Sequence, residues 1–240
     1  MTTTSNSTSA RTDLSTVLHQ VVTAPVRVQT YKNLLYLLLA FPLGIAYFTW
    51  LVTGGAVGVG LLITLVGLPI LLVTLSGAAL AAGIEAQLAK SLVDVDASVP
   101  SFLREFELKD GLVLPGDGFI DTIKQLVTAP STWTSVVLLV SKFVSGIISF
   151  VAVVTSAATA TALLAAPFIY DDSAISLGVT GPASASGYTI GSWTVSTLPE
   201  AIAVAGVGVL FVVVALNLLN GLARLQATYT AALLGVGHGI

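Results

Sequence analysis

Apolar residues are gathered in four blocks, 34–53, 57–82, 136–169 and 201–223, separated by segments rich in serine, threonine, aspartate and glycine. A helix needs about 20 apolar residues to cross a hydrocarbon core of about 30 Å, so each block reads as one crossing. The third is over-long for a straight crossing and must tilt, kink or project from the membrane. The glycine-rich run GGAVGVG at 54–60 reads as a tight turn joining the first two crossings, with Pro42 and Pro69 expected to kink their helices. Two stretches outside the blocks carry a helical stripe: Leu14, Val17, Leu18, Val21 and Val22 before Pro25, and Phe119, Ile123, Leu126 and Val127 before Pro130. Each suits an amphipathic helix lying in the membrane interface and ending ahead of its proline. In GYTIGSWTVST the alternation predicts a small β-hairpin instead.

The pattern is written twice. HQVVTAP at 19–25 returns as KQLVTAP at 124–130, and the following segment aligns at an offset of 102, pairing Phe41 with Phe143, Gly44 with Gly146 and Phe48 with Phe150. After each hairpin comes a related tail, AGIEAQLAKSLV from Ala82 and ARLQATYTAALL from Ala223, each expected to continue the preceding helix into the cytoplasm. The fold class is therefore an all-α membrane protein, four transmembrane helices arranged as two tandem parallel-repeat hairpins, with interfacial helices and an extracellular β-hairpin. Its segments are a polar tail (1–13), a first repeat (14–94), a cytoplasmic linker (95–118) and a second repeat (119–240) whose residues 170–199 lie outside the cell.

Composition agrees with a membrane chain: 55% of residues are hydrophobic and 9% charged, too few polar groups to clothe a soluble core. Residues 1–15 are polar, so no cleaved signal peptide is expected and the first crossing serves as the insertion signal. With no cysteine, disulfides and thiolate chemistry are excluded, and a net charge of −3 offers no face for nucleic acid. Arg11, Arg27, Lys32, Lys90, Arg104, Lys109, Lys124 and Arg224 flank the crossings on one side, whereas 170–199 contains no basic residue. The positive-inside rule then places both termini and the 83–133 loop in the cytoplasm, in a plasma membrane.

No catalytic constellation emerges. His19 and His238 read as solvated side chains. The run DVDASVPSFLRE sets Asp94, Asp96, Ser98 and Glu105 at EF-hand-like spacing, but Val99 stands where the turn needs glycine, so neither a metal nor another cofactor is called for. Lys142, about 15 Å into its helix, is expected to snorkel to the interface as an anchor. Asn217 and Asn220 read as interhelical hydrogen-bonding residues, and Gly44 and Gly146 as packing positions. Asp171, Asp172, Tyr188 and Trp193 are the candidate ligand-facing residues of the outside segment, the two aromatics being either an interfacial belt or a cap over a site.

YKNLLYLLLAFPLGIAYF, TLVGLPIL, the second entry at TW, GSWTVSTLPEA and LARLQATYTAALLG together resemble the four-helix membrane sensor domain found N-terminal to histidine-kinase modules in actinobacteria and in haloarchaeal proteins. The second copy departs from that pattern at Val144-Ser145, where the first has Pro42-Leu43, and no kinase module follows residue 240. The resemblance implies a non-enzymatic, stand-alone signal-input protein. Besides the lipid bilayer it would need a separate protein partner, a kinase, a regulator or a transporter subunit, and a second copy of the chain is a further candidate. The rival reading is an accessory or scaffold subunit of a membrane complex.

Overall fold

The computed structural model describes residues 23–95, 128, 130–169, 188–190, 193–195 and 197–236. The two interfacial helices expected at 14–22 and 119–127, and the linker between Asp96 and Val127, lie outside the described residues. Four long helices dominate: α1 Val28–Gly60, α2 Gly67–Val93, α3 Pro130–Ile169 and α4 Leu198–Val236. All four are long and apolar enough to cross a membrane, and the chain is a multi-pass membrane protein. Two three-residue strands, β1 Tyr188–Ile190 and β2 Trp193–Val195, pair antiparallel with Tyr188 opposite Val195.

The turn between α1 and α2 is not where the glycines suggested. Residues 54–60 are helical, and the chain reverses over 61–66 through a 3₁₀ turn at Leu62–Thr64 and a left-handed Leu65 with φ 61°. The glycines serve packing instead: a Cβ at Gly54 would strike the Thr74 side chain, and one at Gly58 the side chain of Leu71. Gly67 opens α2 because a Cβ there would collide with the backbone of Gly58, Leu61 and Leu62. Pro69 sits in the first turn of α2, where its missing N–H costs no helical bond, so Pro42 alone of the pair lies in a helix interior.

Other ends follow ordinary chemistry. The left-handed Asp94 closes α2, with Lys90 in the last turn. At the start of α4, within STLPE, the Thr197 N–H donates to Glu200 Oε2 at 3.2 Å, half of a capping box. α2 and α4 run unbroken through the related tails, to Val93 and Val236.

The chain forms two compact units: one comprises Tyr31–Val151 with Asn220–Ile240, the other Met1–Thr30 with Ala152–Leu219. In the first, Tyr47, Leu138, Leu139 and Leu234 pack around an alanine stripe of α2, Ala78, Ala81, Ala82 and Ala86. Small residues let helices approach closely in a medium that supplies no hydrophobic drive between them. In the second, Ala166, Val195, Ala201 and Val204 form the core, with Leu163 and Ile169 against it.

Candidate functional site

Between residues 31 and 50 of α1 the buried residues are Asn33, Tyr36, Leu37, Ala40, Gly44 and Tyr47, and between 133 and 152 of α3 they are Ser135, Leu138, Leu139, Lys142, Gly146 and Ser149. The spacing is the same in both, one face of a helix, and every α3 position is the α1 position plus 102. These faces meet reciprocally. A Cβ on Gly44 would lie 2.7 Å from the Lys142 carbonyl oxygen, and one on Gly146 would strike the Ala40 carbonyl. Phe41 stacks on Phe150 at 4.5 Å between ring centroids and Phe48 on Phe143 at 4.4 Å. Such pairs contribute about 0.5–1.5 kcal/mol each beyond the area they bury.

One α3 position on this face is a lysine. Lys142 does not snorkel: it is 2% exposed and its Nζ lies 2.6 Å from Glu85 Oε2 on α2, itself 1% exposed. The same ammonium donates to the Tyr36 hydroxyl at 2.7 Å and stands 4.5 Å from the Tyr36 ring centroid. The expectation of an anchor failed because a lysine stem reaches a partner as readily as it reaches an interface. Inside hydrocarbon, a paired charge costs far less than a lone one. Tyr47 lies beside Glu85, although its hydroxyl and Glu85 Oε1 are buried without a hydrogen-bond partner.

A second polar group continues the first. Gln226 of α4 donates to the Ser149 hydroxyl and to the Ser145 carbonyl of α3, and the Thr230 hydroxyl donates back to the Gln226 carbonyl. Asn33 Nδ2 donates to Asn220 Oδ1 at 2.8 Å, joining α1 to α4. All four helices thus contribute to polar contacts between helices: Lys142 with Glu85 and Tyr36 joins α3 to α2 and α1, Gln226 with Ser149 joins α4 to α3, and Asn33 with Asn220 joins α1 to α4. Asn217 Nδ2 donates to the Val213 carbonyl one turn back in its own helix.

Glu85, Gln226, Tyr36 and Tyr47 were not singled out from sequence. The tails AGIEAQ and ARLQAT carried the signal, because Glu85 and Gln226 hold the same place in them. Five buried positions of the two tails also coincide, Ala82, Glu85, Ala86, Ala89 and Val93 against Ala223, Gln226, Ala227, Thr230 and Leu234. A lysine in an apolar block also implies an acid on another helix, since a lone charge in hydrocarbon is costly.

The candidates of the outside segment fare differently. Asp171 and Asp172 lie outside the described residues, as do His19 and His238. Tyr188 and Trp193 are placed by backbone alone, one on each strand. Asp94 is the C-cap of α2, while Asp96, Ser98 and Glu105 lie outside the described residues. Among the described residues no cluster of three or more His, Cys, Asp and Glu side chains is arranged to hold a metal ion.

The ion pair of Lys142 and Glu85 joins α3 to α2, and the Tyr36 hydroxyl brings α1 to the same ammonium. The chain belongs to the family described as "Putative sensor", whose model matches residues 36–234. Membership points to a sensing, non-catalytic role. Neither the curated proteins nor the solved structures give a match.

Proposed function

We propose that the chain is a stand-alone signal-input protein of the plasma membrane, with both termini cytoplasmic, acting through a separate protein partner. The observation that carries this is the Lys142–Glu85–Tyr36 cluster. A buried ion pair adds little net stability over an apolar substitute, yet it penalises any arrangement that parts its members. Helices tied this way pass from one packed arrangement to another rather than deforming gradually, which is the behaviour a switch requires. Glu85 and Gln226 stand at the head of the α2 and α4 tails, so a repacking of the cluster would be felt by the segments that positive-inside topology places in the cytoplasm.

The two hairpins are read as copies related by a pseudo-twofold axis passing between Gly44 and Gly146. The reciprocal Phe41–Phe150 and Phe48–Phe143 stacks support this, because such a contact between equivalent surfaces repeats itself with the partners exchanged. Duplication gives a sensor two similar halves whose difference carries information: in this face Lys142 stands where the first copy has Ala40.

Affinity purification of the tagged full chain from native membrane tests the reading. The expected result is enrichment of a kinase or transcriptional regulator whose output changes when Glu85→Gln replaces the wild-type chain at equal membrane abundance. Enrichment of a permease or transport ATPase, with transport depending on the chain and no regulatory output, overturns it in favour of an accessory subunit.

A further inference from the structure

The network described above occupies one face of α1; another part of the same helix builds something different. Ala46, Thr49, Trp50, Thr53, Gly54 and Val57 fall at i, i+3, i+4, i+7, i+8 and i+11, and with residues 69–74 of α2 they enclose an open groove of about 760 Å³. That volume lies within the range of ligand sites, about 300–1,000 Å³. Its walls are almost wholly apolar. The Trp50 indole N–H is spent on the Thr74 carbonyl at 3.2 Å and the Thr74 hydroxyl on the Ile70 carbonyl at 2.8 Å, so both polar groups turn away from an occupant. A helical threonine can likewise turn its hydroxyl to its own backbone and show a methyl, which suits Thr49 and Thr53 to the same wall.

The groove is also held open in a defined shape. Gly77 lies under the Trp50 indole, where a Cβ would come within 2.6 Å of Nε1, and the Thr74 side chain fills the place a Cβ on Gly54 would need. The wall from Ala46 to Val57 is about 17 Å long at the rise of an α-helix. A single leaflet of the hydrocarbon core is about 15 Å deep. The groove lies wholly within membrane-spanning helices and ends beside the α1–α2 turn, so it spans about one leaflet at the turn end of the hairpin.

We propose that this groove is a binding site for one hydrocarbon chain of a bilayer lipid, held singly and in register with the leaflet. The lining belongs to two membrane-crossing helices, offers a chain apolar contact and no charged side chain, and matches one leaflet in length. Occupation sets the spacing of α1 and α2 around Trp50. That occupation is the stimulus rests further on the signal-input reading, whereas the binding experiment involves no partner and succeeds or fails without it.

The full chain carrying Trp133→Phe and Trp193→Phe leaves Trp50 as its one tryptophan, and its fluorescence in nanodiscs of phospholipid with dibrominated acyl chains reads the groove directly. A bound chain predicts saturating quenching at a bromolipid fraction severalfold below that for random contact with surrounding lipid. Val73→Phe and Val57→Phe, which fill the groove, should move the curve to the random one, while Val214→Phe, on an exposed face of α4, should not. Quenching that rises in simple proportion to bromolipid fraction, unchanged by the filling variants at unaltered melting temperature, overturns the site. If the filling variants misfold, Ile70→Ala, which enlarges the groove, supplies the second readout: tighter or unchanged saturation agrees with the site, and random quenching opposes it. Native mass spectrometry of the protein released from membrane should show one retained lipid mass. Retention of a smaller lipophile instead overturns the assignment to a lipid chain.

Discussion

Residues 31–151 with 220–236 and residues 152–219 have the same apolar composition to the eye, yet they are built on different principles. In the first, Asn33, Glu85, Ser135, Lys142, Ser149, Gln226 and Thr230 are buried among the helices; in the second, every buried side chain described between Ala152 and Leu219 is apolar. The described core of 152–219 is apolar packing, Gly208 against Leu163 and Val204 among Ala166, Val195 and Ala201. Packing of that kind is graded, since many neighbouring arrangements fill space nearly as well. A buried ion pair has one good arrangement and many costly ones. Selectivity among helix positions therefore resides in the unit that carries the tails of α2 and α4.

Breaking the pair should give the largest effect. Glu85→Ala or Lys142→Ala leaves an uncompensated buried charge and is expected to cost about 3–5 kcal/mol, while the double variant Lys142→Met/Glu85→Leu recovers most of that loss. Unfolding monitored by circular dichroism in detergent or nanodiscs measures both, and a double variant as weak as the two single losses added together would show that the residues do not act as a pair. Val204→Ala in the apolar unit should cost only about 1–2 kcal/mol in the same assay, with no partner substitution able to restore it.

Glycine substitutions sharpen the contrast at intermediate size. Gly44→Ala and Gly146→Ala each push a Cβ into the backbone of the facing helix and should destabilise by about 1–3 kcal/mol, to a similar extent because their contacts mirror each other. Gly206→Ala meets nothing within 4 Å, and should be neutral or gain up to about 1 kcal/mol from helix propensity. Equal effects at all three sites would remove the close approach as the reason for those glycines.

The smallest effect belongs to the exposed cap of α4. Glu200→Ala removes the acceptor of the Thr197 N–H, a contact with an expected worth of about 0.5 kcal/mol. Amide hydrogen exchange should quicken at the first turn of α4 alone and leave the buried network unchanged.

Membrane class and the four crossings were legible in the sequence, because hydrocarbon thickness imposes a length that composition cannot disguise. The offset of 102 set Phe41 beside Phe143 and Phe48 beside Phe150 in the alignment, and the four rings do meet, but with partners exchanged, Phe41 on Phe150 and Phe48 on Phe143. Helix ends were less so: seven residues with four glycines looked like a turn, but in hydrocarbon the backbone must satisfy its own hydrogen bonds, and the helix continues through them to Gly60. Pro69 looked like a kink and is a helix start, because its place in the first turn depends on where the turn falls.

The partner of Lys142 was not legible. Sequence fixes that a lysine sits in an apolar run, but its stem can reach either an interface or an acid, and the two outcomes have similar local sequence. Glu85 lies 57 positions away on another helix, and only the packing of α1, α2 and α3 brings its carboxylate to 2.6 Å from the ammonium. Sequence by itself determined where the chain is apolar, how often it crosses and which positions form one helical face, since these follow from periodicity and from the length of a crossing. Which faces meet, and which charge is buried with which, was decided by tertiary structure, because a buried charge is tolerated only where several helices converge to pair it.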